Sequence, residues 1–170
     1  MKVLVIDDDR LVNILIAEIL HDDGYEILQA FDGPSGIERF QVDGPDLVIL
    51  DVCMPNMDGC QVAREIKRLC AGRFVPILFL TAMTDAYDLA QCLDSGGDDL
   101  ITKPFNQNLL EAKLRAWERN LKVVRAQEEK NLLAHTSETD PPSSMGQILS
   151  PEEMRELNSL TRGLPGNDDP

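Results

Sequence analysis

Short runs of apolar residues recur through the first hundred positions, and most of them stop at a polar side chain. Val3 to Ile6 runs into Asp7-Asp8-Asp9, Leu47 to Leu50 into Asp51, and Pro76 to Leu80 into Thr81. Tyr25 to Ala30 and Leu100 to Thr102 are weaker versions of the same unit, the last meeting Lys103-Pro104. Unbroken apolar runs of this length fit strands buried on both faces of a parallel sheet. Between them the period changes. Leu11, Ile14, Leu15, Ile19 and Leu20 recur at helical spacing until Asp22-Asp23-Gly24. Asp32-Gly33-Pro34 opens a helix with Ile37 and Phe40 inward, stopping near Asp43-Gly44-Pro45. Cys60 to Leu69 places Val62, Ile66 and Leu69 on one side, and Asp85 to Asp94 is a further helix closed by Gly96-Gly97. Five strands alternating with helices predict an α/β fold, a doubly wound five-stranded parallel sheet.

The pattern then lengthens. Leu110, Leu114, Trp117, Leu121 and Val124 are spaced 4-3-4-3, a heptad-like seam on a helix of about 106–135. Its first part has to pack on the sheet; the remainder is expected to project past the body and pair with a second copy, or else to stand as a solvated helix. Thr136 to Ser144 is a linker by composition, so residues 136–149 divide the domain of residues 1–120 from the C-terminal segment. Ser150-Pro-Glu-Glu153 is a capping box with proline at the first helical position, and Met154, Leu157 and Leu160 form one stripe of a short helix over 150–163. Three turns are marginal alone. That helix is a tail, a docking element, or the start of an output domain.

Composition narrows the class. A hydrophobic fraction of 43% and mean hydropathy of -0.19 suit a globular protein in water. No stretch approaches the ~20 apolar residues of a membrane span, and the first residues turn acidic too soon for a signal peptide, so a cytoplasmic protein with no membrane partner is expected. The net charge of -14 is uneven: residues 1–105 carry -11, residues 106–135 carry +2 and residues 136–170 carry -5. An acidic body argues against direct nucleic-acid binding, which needs a basic footprint. The four cysteines, Cys53, Cys60, Cys70 and Cys92, have no zinc-like spacing and read as free thiols; His21 and His135 have no partners at motif spacing.

Asp51 taken alone is either a group placed for chemistry or the cap of the next turn. The other strand ends change that. Asp7, Asp8, Asp51, Thr81 and Lys103 all stand at carboxyl ends of strands, the edge where open α/β sheets bind ligands. Three carboxylates crowded together repel unless a cation sits among them. An all-oxygen set without His or Cys suits Mg²⁺, and a Lys and a Thr opposite suit the oxygens of a phosphoryl group.

Together, Val5-Ile6-Asp7-Asp8-Asp9, Asp51-Val-Cys-Met-Pro55-Asn-Met-Asp58-Gly59, Thr81-Ala82 and Lys103-Pro104-Phe105 resemble the receiver domain of bacterial two-component response regulators, over residues 1 to about 120. The resemblance implies a flavodoxin-like receiver fold and a phosphorylation-controlled signalling domain rather than an enzyme, with only Mg²⁺-assisted self-phosphorylation and dephosphorylation of its own. It implies that Asp51 accepts phosphate from a histidine kinase or phosphotransfer protein. Asp7, Asp8, Asp51 and the backbone carbonyl of Cys53 would hold Mg²⁺, Lys103 would pair with the phosphoryl group, and Thr81 would swing toward it. It also implies a cis peptide before Pro104. One position departs from the family pattern: Leu100 stands where a Tyr or Phe is usual, so either switching uses another aromatic or aliphatic packing change or the coupling is weaker. Asp98-Asp99 form an exposed acidic pair, either a pairing surface or a solvated loop.

Phosphorylation is expected to switch dimerisation or the contact with an output domain or effector outside this chain. Two other functions compete. An Mg²⁺-dependent phosphatase working through an aspartyl-phosphate would use the same acids but wants a second Asp two residues after the nucleophile, where this chain has Cys53. A DNA-binding regulator would show a basic helix-turn-helix after the linker, and none is visible.

Overall fold

The computed structural model describes residues 1–83 and 85–137. Five strands, β1 (Lys2–Ile6), β2 (Glu26–Ala30), β3 (Leu47–Asp51), β4 (Ile77–Thr81) and β5 (Asp99–Thr102), alternate with five helices. The helices are α1 (Arg10–Asp22), α2 (Gly33–Asp43), α3 (Gly59–Leu69), α4 (Ala86–Asp94) and α5 (Gln107–Ser137). The strands form one parallel sheet in the order β2-β1-β3-β4-β5. The chain leaves β1 toward β2 and then returns past it to β3. The order therefore reverses between β1 and β3, and the crevice at their carboxyl ends is the topological switch point.

Residues Met1–Glu128 make one compact unit. Its core lies in two layers because strand side chains alternate between faces. Leu4, Ile6, Val48, Leu50, Ile77 and Phe79 meet Phe40 of α2, Val62 and Ile66 of α3 and Cys92 of α4. Val3, Val5, Leu47, Ile49, Leu78, Leu80 and Ile101 meet Ile16 and Leu20 of α1 and Leu110 and Leu114 of α5. Aspartates start three helices: Asp9, Asp32 and Asp58 accept from the first-turn amides of Leu11, Ser35 and Gln61.

Three expectations change. In α1 the inward face is Asn13, Ile16, Ile19 and Leu20, while Leu11, Ile14 and Leu15 face outward. An apolar run with residues at both i and i+1 fits two helical phases, and the sheet selects one. In α5 the 4-3-4-3 seam is occupied within the domain: Leu110, Leu114 and Leu121 are buried and Trp117 packs on the α1 side of the core. Arg125 is ion-paired to Asp46 just before β3, so the helix stays tied to the sheet one turn past Leu121. A free face for a second copy therefore does not run along this seam. Asp98 and Asp99 are not bare charges either. Asp98 accepts from Lys67 Nζ at 2.7 Å and from the Ile77 amide at 2.8 Å, and Asp99 takes Lys113 Nζ at 2.6 Å.

Residues 129–137 of the second unit continue as helix, which moves the start of the expected linker from residue 136 to beyond Ser137. The rest of that linker, the helix over 150–163 and the side chain of His135 lie outside the described residues. No helix among the described residues is long and apolar enough to cross a membrane.

Candidate functional site

The triple aspartate after β1 divides its labour. Asp7 is fully buried and takes the Asp9 amide on Oδ1 at 3.0 Å, whereas Asp8 is exposed. Asp9 is spent on capping α1 through the Leu11 amide, at 2.8 Å. Beneath them sits Asn13, also fully buried, whose amide donates to the carbonyls of Asp7 at 2.8 Å and Ala30 at 3.0 Å. It thereby staples the carboxyl ends of β1 and β2 to α1. Sequence pattern alone passes over Asn13; its only signal is a polar residue three and seven positions before Ile16 and Leu20, in phase with the buried stripe.

Asp51 is the last residue of β3 and only 4% exposed. The chain after it turns tightly, with Asn56 at φ 65° and the Gly59 amide returning to the Val52 carbonyl at 2.9 Å. Gly59 is required by contact: a Cβ there would lie 2.2 Å from the Asp51 carbonyl oxygen. Cys53, on the same turn, is exposed.

Thr81 closes β4 and is buried, and its carbonyl accepts the Lys103 amide at 2.7 Å. Its Oγ1 accepts the Met83 amide at 3.0 Å, so the hydroxyl is turned to its own chain, with its O–H still available as a donor. The Lys103–Pro104 peptide is cis. Leu100 is partly buried and packs against the layer that holds Phe79.

Lys103 Nζ bridges the two buried acids, 2.7 Å from Asp7 Oδ2 and 2.9 Å from Asp51 Oδ1. Oxygens of Asp7, Asp8 and Asp51 all come within 4.8 Å of one another. Burial, with the charge of Asp51, pushes the Asp7 carboxyl above its ordinary value, although the Lys103 bond pulls the other way. Burial opposes the charge on Lys103 as well, but its bonds to Asp7 and Asp51 outweigh it and hold the ammonium above its ordinary value. One ammonium for three carboxylates leaves net negative charge, and an all-oxygen set at this spacing fits a hard divalent cation. The structure thus brings together Asp7, Asp8, Asp51 and Lys103, sets Thr81 on the next strand end, and leaves Leu100 packed against the core.

Comparison with known proteins agrees with this geometry. The family model described as the response regulator receiver domain matches residues 3–115. The chain is 39% identical over 126 residues to the transcriptional regulatory protein DltR of Streptococcus agalactiae, covering 74% of this chain and 55% of that protein. It is 32% identical over 148 residues to the alkaline phosphatase synthesis transcriptional regulatory protein PhoP of Bacillus subtilis, covering 87% and 57%. It therefore spans only about half the length of these curated relatives. Among solved structures, the Vibrio cholerae chemotaxis protein CheY4 superposes with a TM-score of 0.64 at 31% identity, over 68% of this chain and 96% of that one. Fold, acidic switch-point site and family model converge: the chain belongs to the receiver domain family of two-component response regulators.

Proposed function

We propose that Asp51 is the phospho-acceptor, taking a phosphoryl group from a phosphohistidine of a histidine kinase or phosphotransfer protein. The observation that supports this is the Asp7–Lys103–Asp51 bridge at the switch point, with Asp8 beside it. Asp7, Asp8, Asp51 and the Cys53 carbonyl would hold Mg²⁺, which when bound supplies positive charge against the phosphoryl oxygens. The Asp51 carboxylate attacks phosphorus, the P–N bond to the donor histidine breaks with the imidazole leaving, and Asp51 becomes an acyl phosphate. Lys103 follows the new charge, exchanging a carboxylate oxygen for a phosphoryl oxygen. Thr81 gives up the Met83 amide and turns its hydroxyl to the same group, which pulls the segment after β4. Water attacking the same phosphorus breaks the acyl-phosphate bond, releases inorganic phosphate and restores the Asp51 carboxylate, so its chemistry is limited to its own phosphorylation and dephosphorylation.

With Leu100 in the usual ring position, the movement is passed on by aliphatic and thioether packing around Phe79 and Met83. The receiver of residues 1–120 hands the signal to an output domain or effector outside it, by way of the segment that follows α5. The relatives' names support an output acting on transcription. Pairing through α5 would have to use residues off the buried seam, such as Val123, which is 70% exposed.

Labelling by acetyl phosphate with Mg²⁺ tests the assignment. Asp51→Asn is expected to abolish it, and undiminished labelling of a folded Asp51→Asn protein would remove Asp51 from the role.

A further inference from the structure

The sulfurs of Cys60 and Cys92 lie 3.1 Å apart. They belong to different helices: Cys60 is the second residue of α3, and Cys92 lies two residues from the end of α4. Cys92 is 3% exposed and built into the core layer, while Cys60 is half-buried against it. Neither is needed for the phosphoryl chemistry. We propose that Cys60 and Cys92 are a redox-modification site, closed to a disulfide by a peroxide-class oxidant, which ties the first turn of α3 to α4.

Cys60 is the partner that solvent reaches. Its sulfur, as thiolate, attacks one oxygen of hydrogen peroxide and the O–O bond breaks. A sulfenic acid forms, and the departing hydroxide takes the thiol proton as water. The Cys92 sulfur then attacks the sulfenic sulfur. The S–O bond breaks and hydroxide leaves with the Cys92 proton as a second water. Two thiols are oxidised and one peroxide is reduced. The sulfurs need only close by about 1 Å to reach bonding distance.

Burial raises the Cys70 thiol, and neither Cys70 nor the exposed Cys53 takes part in the sulfur–sulfur contact that joins Cys60 and Cys92. Burial and the contact with Cys60 push Cys92 up to about 12, so it serves as the slow resolving partner rather than the first to react. The link would matter because of where Cys60 stands. It comes directly after Gly59, the residue pressed against the Asp51 carbonyl, so a bond to α4 couples the acceptor loop to the next helix. The link is read by mass and not by phosphorylation, so its failure and a failure of the Asp51 assignment are distinguishable.

The test treats the full chain with hydrogen peroxide, alkylates the remaining thiols and maps the peptides. Free thiols are expected to fall from the four of the sequence to two, with a Cys60–Cys92 peptide pair that dithiothreitol releases. Cys60→Ser should lose the pair, and Cys53→Ser and Cys70→Ser should keep it. The oxidised chain should melt several degrees higher, because the link restrains the unfolded state. A peptide pair that joins Cys53 to either partner, a link between two chains, or four thiols still open to alkylation would overturn the proposal. The map is read on the unsubstituted chain, so a variant that fails to fold does not obscure the result.

Discussion

Two buried carboxylates share one ammonium at the carboxyl edge of the sheet, and removing that ammonium has a definite cost. Lys103→Met leaves Asp7 and Asp51 unpaired at 2.7 and 2.9 Å from a missing charge, and breaking such a buried pair costs about 3 kcal/mol. Chemical denaturation should read that loss, and millimolar Mg²⁺ should recover part of it by supplying the absent charge. Lys103 is held above its ordinary value, so its contribution is complete below 10.5 and lost as pH rises through the folded value. Asp7 is raised as well, but for a carboxyl that disfavours the charged form. Its carboxyl is raised above 3.8 by burial, so folding favours its protonated form, and protons compete with a cation there at higher pH than at an ordinary aspartate. Mg²⁺ affinity, followed by titration calorimetry, is expected to weaken on acidification while the pH is still above 3.8. Asp7→Asn should bind more weakly throughout and lose that limb of the pH dependence.

Among the elements, α1 and α5 show how a helix of given apolar content can be placed in more than one way. Leu11, Ile14 and Leu15 are as apolar as Ile16, Ile19 and Leu20, yet the first three are exposed because Asn13 is drawn inward by the carbonyls of Asp7 and Ala30. Its two hydrogen bonds, to the Asp7 carbonyl and to an Ala30 carbonyl that also accepts the Asp7 amide, offset the loss of an apolar contact. For α5 the heptad-like spacing matches a coiled-coil seam, but a sheet face satisfies the same spacing. Leu121 is 3% exposed, so Leu121→Glu buries a charge within the domain and should cost about 3 kcal/mol or more of stability. Val123→Glu alters only the exposed side and should leave the melting temperature within about 2 °C. If α5 pairs with a second copy, sedimentation will show Val123→Glu weakening that pairing without loss of fold; a dimer unaffected by it would exclude this side of the helix.

At the scale of the molecule, the strand order β2-β1-β3-β4-β5 makes the site. Asp7 and Asp51 are 44 positions apart in the chain but end adjacent strands, and Lys103 arrives from the loop beyond the sheet edge, after β5. A cation bound only by the folded arrangement stabilises the whole domain by mass action, about 2.7 kcal/mol at one hundred times its dissociation constant. The melting temperature should therefore climb with Mg²⁺ concentration and saturate. Asp8→Asn, which removes the exposed carboxylate of the proposed cation site and no buried contact, should flatten that rise while leaving the metal-free protein as stable as before.

The sequence by itself determined β1, β3 and β4 as buried parallel strands, because runs of four or five apolar residues have few other stable placements, and it marked the polar residue at four of the five strand ends. It also marked Asp7, Asp8, Asp51, Thr81 and Lys103 as candidates for one site, since residues at strand ends converge once the sheet is parallel; the structure joins Asp7, Asp8, Asp51 and Lys103 directly. Only the tertiary structure decided which face of α1 turns inward, whether the α5 seam is filled from within, and which acid of the triple caps a helix. The same holds for the 3.1 Å approach of Cys60 and Cys92. These are choices between local patterns of equal merit. They are settled by contacts between residues far apart in the chain, which no periodicity records.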